Sequence, residues 1–160
     1  MIVLGKHWFI FEWSGKSWTL NPFNYCLGSV KDVPIIDAAI AYECPYFHKC
    51  YILLLRNDLY LPNMEDKSLP PFIIRESGST VNDTPNIHCT YPTSIDHCIT
   101  FSDSDLKIPL RIKGTFPFFH TRISTADELQ SCEKIFITPY HQHWNPYCTL
   151  YDLNETSMPN

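Results

Sequence analysis

The sequence predicts a mainly β chain carrying one or two short helices. Three observations lead there. Aromatic and β-branched residues gather in short runs, several alternating with a period of two as half-covered strands do. The chain holds 13 Pro and only 5 Gly, which breaks those runs with stiff turns. Only two segments carry helix start and stop signals, and both are short.

Taken in order, Val3–Trp13 and Trp18–Leu20 predict a β-hairpin turning at Ser14-Gly15-Lys16. The Pro- and Asn-bearing segment Asn21–Asn24 reads as a loop leading to a strand near Cys26. In 33–42, Ile36, Ala38, Ile40 and Tyr42 alternate with Ile35, Asp37, Ala39 and Ala41. That pattern fits a strand with one small or polar face, half-covered by its neighbours. Cys44–Lys49 is a turn that sets this strand antiparallel to the run Cys50–Arg56, and Asp58–Leu61 continues the sheet. Ser68 is the expected cap of a helix with Pro70 and Pro71 in its first turn, where proline removes no needed donor. Phe72, Ile73 and Ile74 are its expected buried side and Gly78 its stop.

Residues 79–94 read as a loop. Ile95–Phe101 and Leu106–Ile112 form a second hairpin around Ser102–Asp105, and Gly114 breaks the chain before Thr115–His120. Ser124-Thr125-Ala-Asp-Glu128 contains a capping box that opens a second short helix. Glu133–Thr138 is a further strand; beyond Pro139 the chain reads as irregular, with a frayed end.

Composition narrows the function. With 160 residues, 44% hydrophobic and 18% charged, the chain is a globular domain with at most a structured tail. A net charge of −5 with 12 scattered Lys and Arg leaves nothing to neutralise a phosphate backbone, so nucleic acid is not expected as a partner. The longest apolar run, Tyr51–Leu55, is far short of the roughly 18 residues a membrane span needs, so no membrane partner is expected. Met1–Trp8 lacks the apolar core and cleavage site of a signal peptide, which places the expected location in the cytosol or nucleus rather than outside the cell. The seven cysteines then read as reduced thiols, and an odd number suits a closed disulfide framework poorly. The sequons Asn82-Asp-Thr84 and Asn154-Glu-Thr156 carry no weight without a secretory route.

Tyr51–Met64 followed by Ser68–Gly78 is an apolar strand that stops at a proline turn before a short helix ending in glycine. This layout resembles the second half of the retropepsin-like aspartic protease region in copia-type retrotransposon polyproteins. Val33–Tyr46, Leu59–Glu65, Pro70–Arg75, Ile108–Gly114 and Phe118–Arg122 are similar to segments of that region in the same order. Ile137-Thr-Pro139 with Trp144-Asn-Pro146 looks like the connector that follows it. The resemblance implies a retropepsin-like β domain over 1–123, a small barrel of hairpins truncated at its N-terminus, and a connector over 124–160 holding a short helix, one strand and the tail.

In that family two subunits each contribute an Asp from an Asp-Ser/Thr-Gly triplet, and the pair shares a proton because two carboxylates so close cannot both ionise. The triplet belongs just before the segment resembling Val3–Trp8, and Met1 falls a few residues after its place. The chain contains no such triplet. The resemblance therefore implies no catalytic residue, and a non-catalytic remnant of an aspartic protease. A start upstream of Met1 that supplied the triplet would restore an aspartic endopeptidase. Arg75-Glu-Ser-Gly-Ser-Thr80 imitates the triplet with Glu76 in place of Asp, but reads better as a helix end with a solvent-facing carboxylate. Asp37 falls near the flap in the resemblance. Its alternatives are a substrate-adjacent or structural residue and an exposed strand residue.

The other class is a non-enzymatic β module that forms a homodimer or adds peptide or polyprotein segments to a sheet edge. Metal binding has scattered candidates: Cys44 with His48 and Cys50, His88-Cys89 with His97-Cys98, and His141 and His143 with Cys148. None has the paired spacing of a zinc site, so no metal and no cofactor is expected. A Cys–His nucleophile lacks any strained-turn signature. Ser14-Gly15-Lys16-Ser17 lacks the upstream glycine of a phosphate loop. Trp8, Trp13 and Trp18 read as packing on the first hairpin, with Phe9 and Phe11 opposite, rather than as a stacking platform for bases.

Overall fold

The computed structural model describes residues 3–21, 28–65, 67–141, 144, 145 and 147. Its main sheet has β2 (Phe9–Leu20), β3 (Val30–Glu43) and β4 (Cys50–Tyr60) side by side and antiparallel. The far edge of β4 carries two short strands end to end, both parallel to it. β1 (Val3–Leu4) lies beside Leu59 and Tyr60, and β10 (Glu133–Phe136) beside Tyr51–Leu54. A second sheet joins β5 (Thr80–Asn82), β6 (Cys98–Thr100) and β7 (Lys107–Pro109), and β8 (Arg111–Lys113) pairs with β9 (Phe116–Phe118). The helices are α1 (Pro71–Glu76) and α2 (Ala126–Ser131). Among the described residues no helix is long and apolar enough to cross a membrane.

The mainly β class holds, and the sheets stay open. The main sheet runs from β2 at one side to β1 and β10 at the other without closing into a barrel. The segment after residue 123, expected as a connector, supplies a strand to this sheet, and Ile135 and Ile137 belong to its core.

β3 and β4 read as apolar because they are covered on both faces. On one face Ile36, Ala38, Ile40, Leu53 and Leu55 pack with Ile73 and Ile74 of α1, Val81, Ile99 and Ile108 of the second sheet, and Leu4. On the other, Ala39, Ala41 and Ile52 lie under Leu129 of α2, while Val33, Ile35 and Leu59 gather with Leu20, Leu61 and Tyr147. The face expected to be half-covered is thus buried too, and its small alanines admit α2 closely.

The expected first hairpin is instead one continuous strand. β3 is 14 residues long and offers β2 a partner along its whole length, so the turn signal is absorbed as a bulge. Trp13 pairs with Ile36 and Ser17 with Pro34, leaving Ser14–Lys16 as extra residues. Gly15 supplies the left-handed φ of +70°, and the Ser14 hydroxyl donates to the Ile35 carbonyl at 2.7 Å.

Ser68 does not cap α1. The helix opens on Pro70, with Pro71 at its first position and no side-chain cap. Ile73 and Ile74 are buried as expected, Phe72 is exposed, and Gly78 follows the helix at φ +87°. The capping box of α2 forms in both directions between Thr125 and Glu128. The hairpin around 102–105 forms as β6–β7, and the loop 79–94 contains β5 and a 3-10 turn at Asn86–His88. The expected strand near Cys26 and the frayed end lie outside the described residues.

Candidate functional site

Where β3 meets β4 the ladder slips by one residue. Ile36 faces Asp58 and Ala38 faces Leu55, so Arg56 and Asn57 share Asp37 as their single partner. Asn57 takes a left-handed φ of +56°, which asparagine tolerates better than most residues.

Asp37 holds this bulge closed. Its Oδ1 accepts the Asn57 backbone N–H at 2.8 Å, and its Oδ2 lies 3.6 Å from Arg56 Nη1. The Arg56 N–H donates to Thr138 Oγ1 at 2.8 Å, and the Asn57 side-chain amide donates to the Trp144 carbonyl. The Arg56 guanidinium lies over the rings of Phe136 and Tyr140, at 5.4 and 5.7 Å from their centroids. From the other side, β2 places Glu12 opposite Asp37. Burial pushes the Asp37 carboxyl up; the Asn57 N–H and Arg56 pull it back, Glu12 pushes it up again, and the balance is upward. The reading of Asp37 as an exposed strand residue is corrected: the bulge needs its carboxylate inside.

Asp58, next along β4, is fully buried, and neither of its oxygens has a hydrogen-bond partner among the described residues. Burial drives its pKa well above the ordinary value, and the nearby Asp37 charge adds to this. The Tyr147 hydroxyl is also buried with no hydrogen-bond partner among the described residues, and burial, then the Asp58 charge, raises its pKa. The signal in the sequence that marks this site is Arg56-Asn57-Asp58, a polar triplet inside an apolar strand.

Two nearby carboxyls that are both pushed up in pKa invite comparison with an acid–base pair. Here neither lines either of two clefts. One open cleft of about 400 Å³ is bordered by Lys49, Asp103, Asp105 and Glu133, and a second of about 240 Å³ lies beside Ser77, Ser79 and Tyr140. The Lys49 ammonium is 2.6 Å from the Glu133 carboxylate, which also accepts from Ser104 at 2.9 Å. These groups satisfy one another. Glu76 ends α1 as an exposed residue. Among the described residues no three His, Cys, Asp or Glu side chains gather as a metal site, so the candidate groupings around Cys44 and around His97 are not brought together; His143 and Cys148 lie outside the described residues.

No family model, curated protein or solved structure matches this chain.

The most open feature is β2 itself. Phe9, Phe11, Trp13 and Trp18 are 46, 42, 58 and 44% exposed, unlike Trp8, which is buried. Trp13 meets Tyr60 edge to face at 5.7 Å and Trp18 stacks on Tyr147 at 5.1 Å, so both rings are held at the surface rather than packed under it. The outer edge of β2 pairs with no strand among the described residues.

Proposed function

We propose that this chain is a non-catalytic β module, the remnant of a retropepsin-like domain, which associates with a second copy of itself through the outer edge of β2. The observation that carries this reading is a 12-residue edge strand bearing four exposed aromatic side chains. An exposed apolar edge is a template for another strand, and natural proteins seldom leave one uncovered.

The sequence of β2 suits an antiparallel copy of itself. A two-fold axis near Ser14 sets Glu12 beside Lys16 of the second copy, twice over, and Ile10 beside Trp18. The bulges in β2 disfavour open-ended stacking of strands, which favours one closed pair. The non-catalytic half rests on the absence of an Asp-Ser/Thr-Gly triplet and on two acidic side chains, Asp37 and Asp58, that are engaged or sealed.

Light scattering over a concentration series tests the reading, with a dimer expected to grow in as concentration rises. A monomer at every concentration, or strand addition by an unrelated extended peptide but not by a second copy, would overturn self-association. Pepstatin-sensitive cleavage of an unstructured substrate would overturn the non-catalytic assignment.

A further inference from the structure

The start of β4 and the start of β10 bring together two cysteines far apart in the chain. Glu133 lies opposite Tyr51 at the first rung of the parallel ladder, and the same register carried back by one residue sets Cys132 beside Cys50. Cys132 ends α2 in an extended conformation, φ −78° and ψ 152°, which continues the line of β10 by one residue. Both side chains pack against the same buried cluster of Ala39, Ala41 and Ile52, and both remain partly exposed. Beyond the effect of burial, Cys132 lies near enough to Cys50 to push its thiol up, and Arg122 Nη2 lies 3.7 Å from Cys50 Sγ.

We infer that Cys50 and Cys132 are a vicinal dithiol that closes to a disulfide on two-electron oxidation by a peroxide, stapling β10 to β4. Neighbouring strands lie about 4.8 Å apart, inside the Cα separations of roughly 4.4–6.8 Å that a disulfide spans. The surrounding structure holds both residues. The Cys132 N–H donates to the Glu128 carbonyl at 2.9 Å, and the Lys49–Glu133 ion pair bridges the same two strand starts at 2.6 Å.

The chemistry balances with the peroxide as oxidant. A Cys132 thiolate attacks one peroxide oxygen, giving a sulfenic acid and hydroxide. The Cys50 thiol then attacks that sulfur, the S–S bond forms, and the sulfenic oxygen leaves as water. Two electrons pass from the sulfurs to the peroxide, which ends as two waters. Burial and the neighbouring Cys132 thiol push the Cys50 thiol up to about 11, which fits it for the second step rather than the first. Cys44 and Cys98 are buried, so the peroxide does not reach them as readily.

Peptide mapping of the full chain tests the pair. The reduced protein is treated with hydrogen peroxide, blocked with N-ethylmaleimide, unfolded and digested with trypsin. Each cysteine falls in its own tryptic peptide, 50–56 and 123–134. The expected product is a linked 50–56/123–134 species with two thiols lost per chain, a rise in Tm on the order of 10 °C, and reversal of both by dithiothreitol. Cys132→Ser removes the linked species and the Tm shift; Cys50→Ser is the second variant should the first fold poorly. Recovery of both peptides separately alkylated, or linked only to other cysteines, overturns the pairing.

Discussion

The Asn57 backbone N–H donates to the Asp37 carboxylate at 2.8 Å across the slip in the β3–β4 ladder, so one side chain closes the bulge that its own strand faces. A carboxylate in this role resists truncation. Asp37→Ala leaves a buried N–H unpaired and removes the counter-charge beside Arg56. It is expected to destabilise the fold by about 1–3 kcal/mol, with Asp37→Asn costing less because its carbonyl still accepts. Urea unfolding of the two variants measures the difference.

Asp58 gives the protein an unusual pH dependence. A carboxyl whose folded pKa is raised favours the folded state fully below its unfolded pKa, near 3.8, and loses that advantage as pH rises toward the folded pKa. Relative to Asp58→Asn, the wild-type protein is therefore expected to lose up to about 1.4 kcal/mol per pH unit above about pH 4. Asp37 shifts the same way, and it is present in both proteins. Chemical denaturation from pH 3 to 8 reads the slope, and parallel curves for the two proteins would contradict it.

Glu128 behaves in the opposite sense. The Arg122 guanidinium, at 2.6 and 2.9 Å from its two oxygens, and the Thr125 N–H hold its carboxyl down to about 2. Its contribution is present above the unfolded pKa near 4.5 and is lost as pH falls through about 2. Acidification is expected to fray α2 before the main sheet, visible in the amide signals of Ala126–Ser131. Thr125→Ala, which removes the other half of the capping box, is expected to cost about 1 kcal/mol at neutral pH.

Gly5 is fixed by its neighbour rather than by its φ. The turn after β4 crosses over it, with the Leu61 N–H donating to the Leu4 carbonyl at 2.8 Å, and a Cβ at Gly5 would run into the Met64 carbonyl. Gly5→Ala is expected to destabilise by about 1–3 kcal/mol, measured as a lower urea midpoint with an unchanged m-value.

Local signals in the sequence match the structure where the structure is itself local. Thr125 and Glu128 lie three residues apart and satisfy each other, so the capping box and α2 were legible; so was the turn between β3 and β4, set by flanking apolar runs. The hairpin expected at Ser14-Gly15-Lys16 failed because a bulge and a turn use the same residues. A 14-residue partner strand decides between them, and that partner is not local. The burial of Asp37 follows from a one-residue slip in a strand some twenty positions away. The Cys50–Cys132 contact depends on β10 returning to the edge of β4, which no spacing along the chain announces.

The most direct measurement of self-association is sedimentation of a charge-exchange series on β2. In the pairing about Ser14, Glu12→Lys and Lys16→Glu each set like charges opposite one another, whereas the double exchange restores both pairs. The dimer is expected to weaken in each single variant and to return in the double variant, with β-sheet content unchanged throughout. Equal association in all four proteins, or failure of the double variant to recover what the singles lose, would contradict pairing through β2.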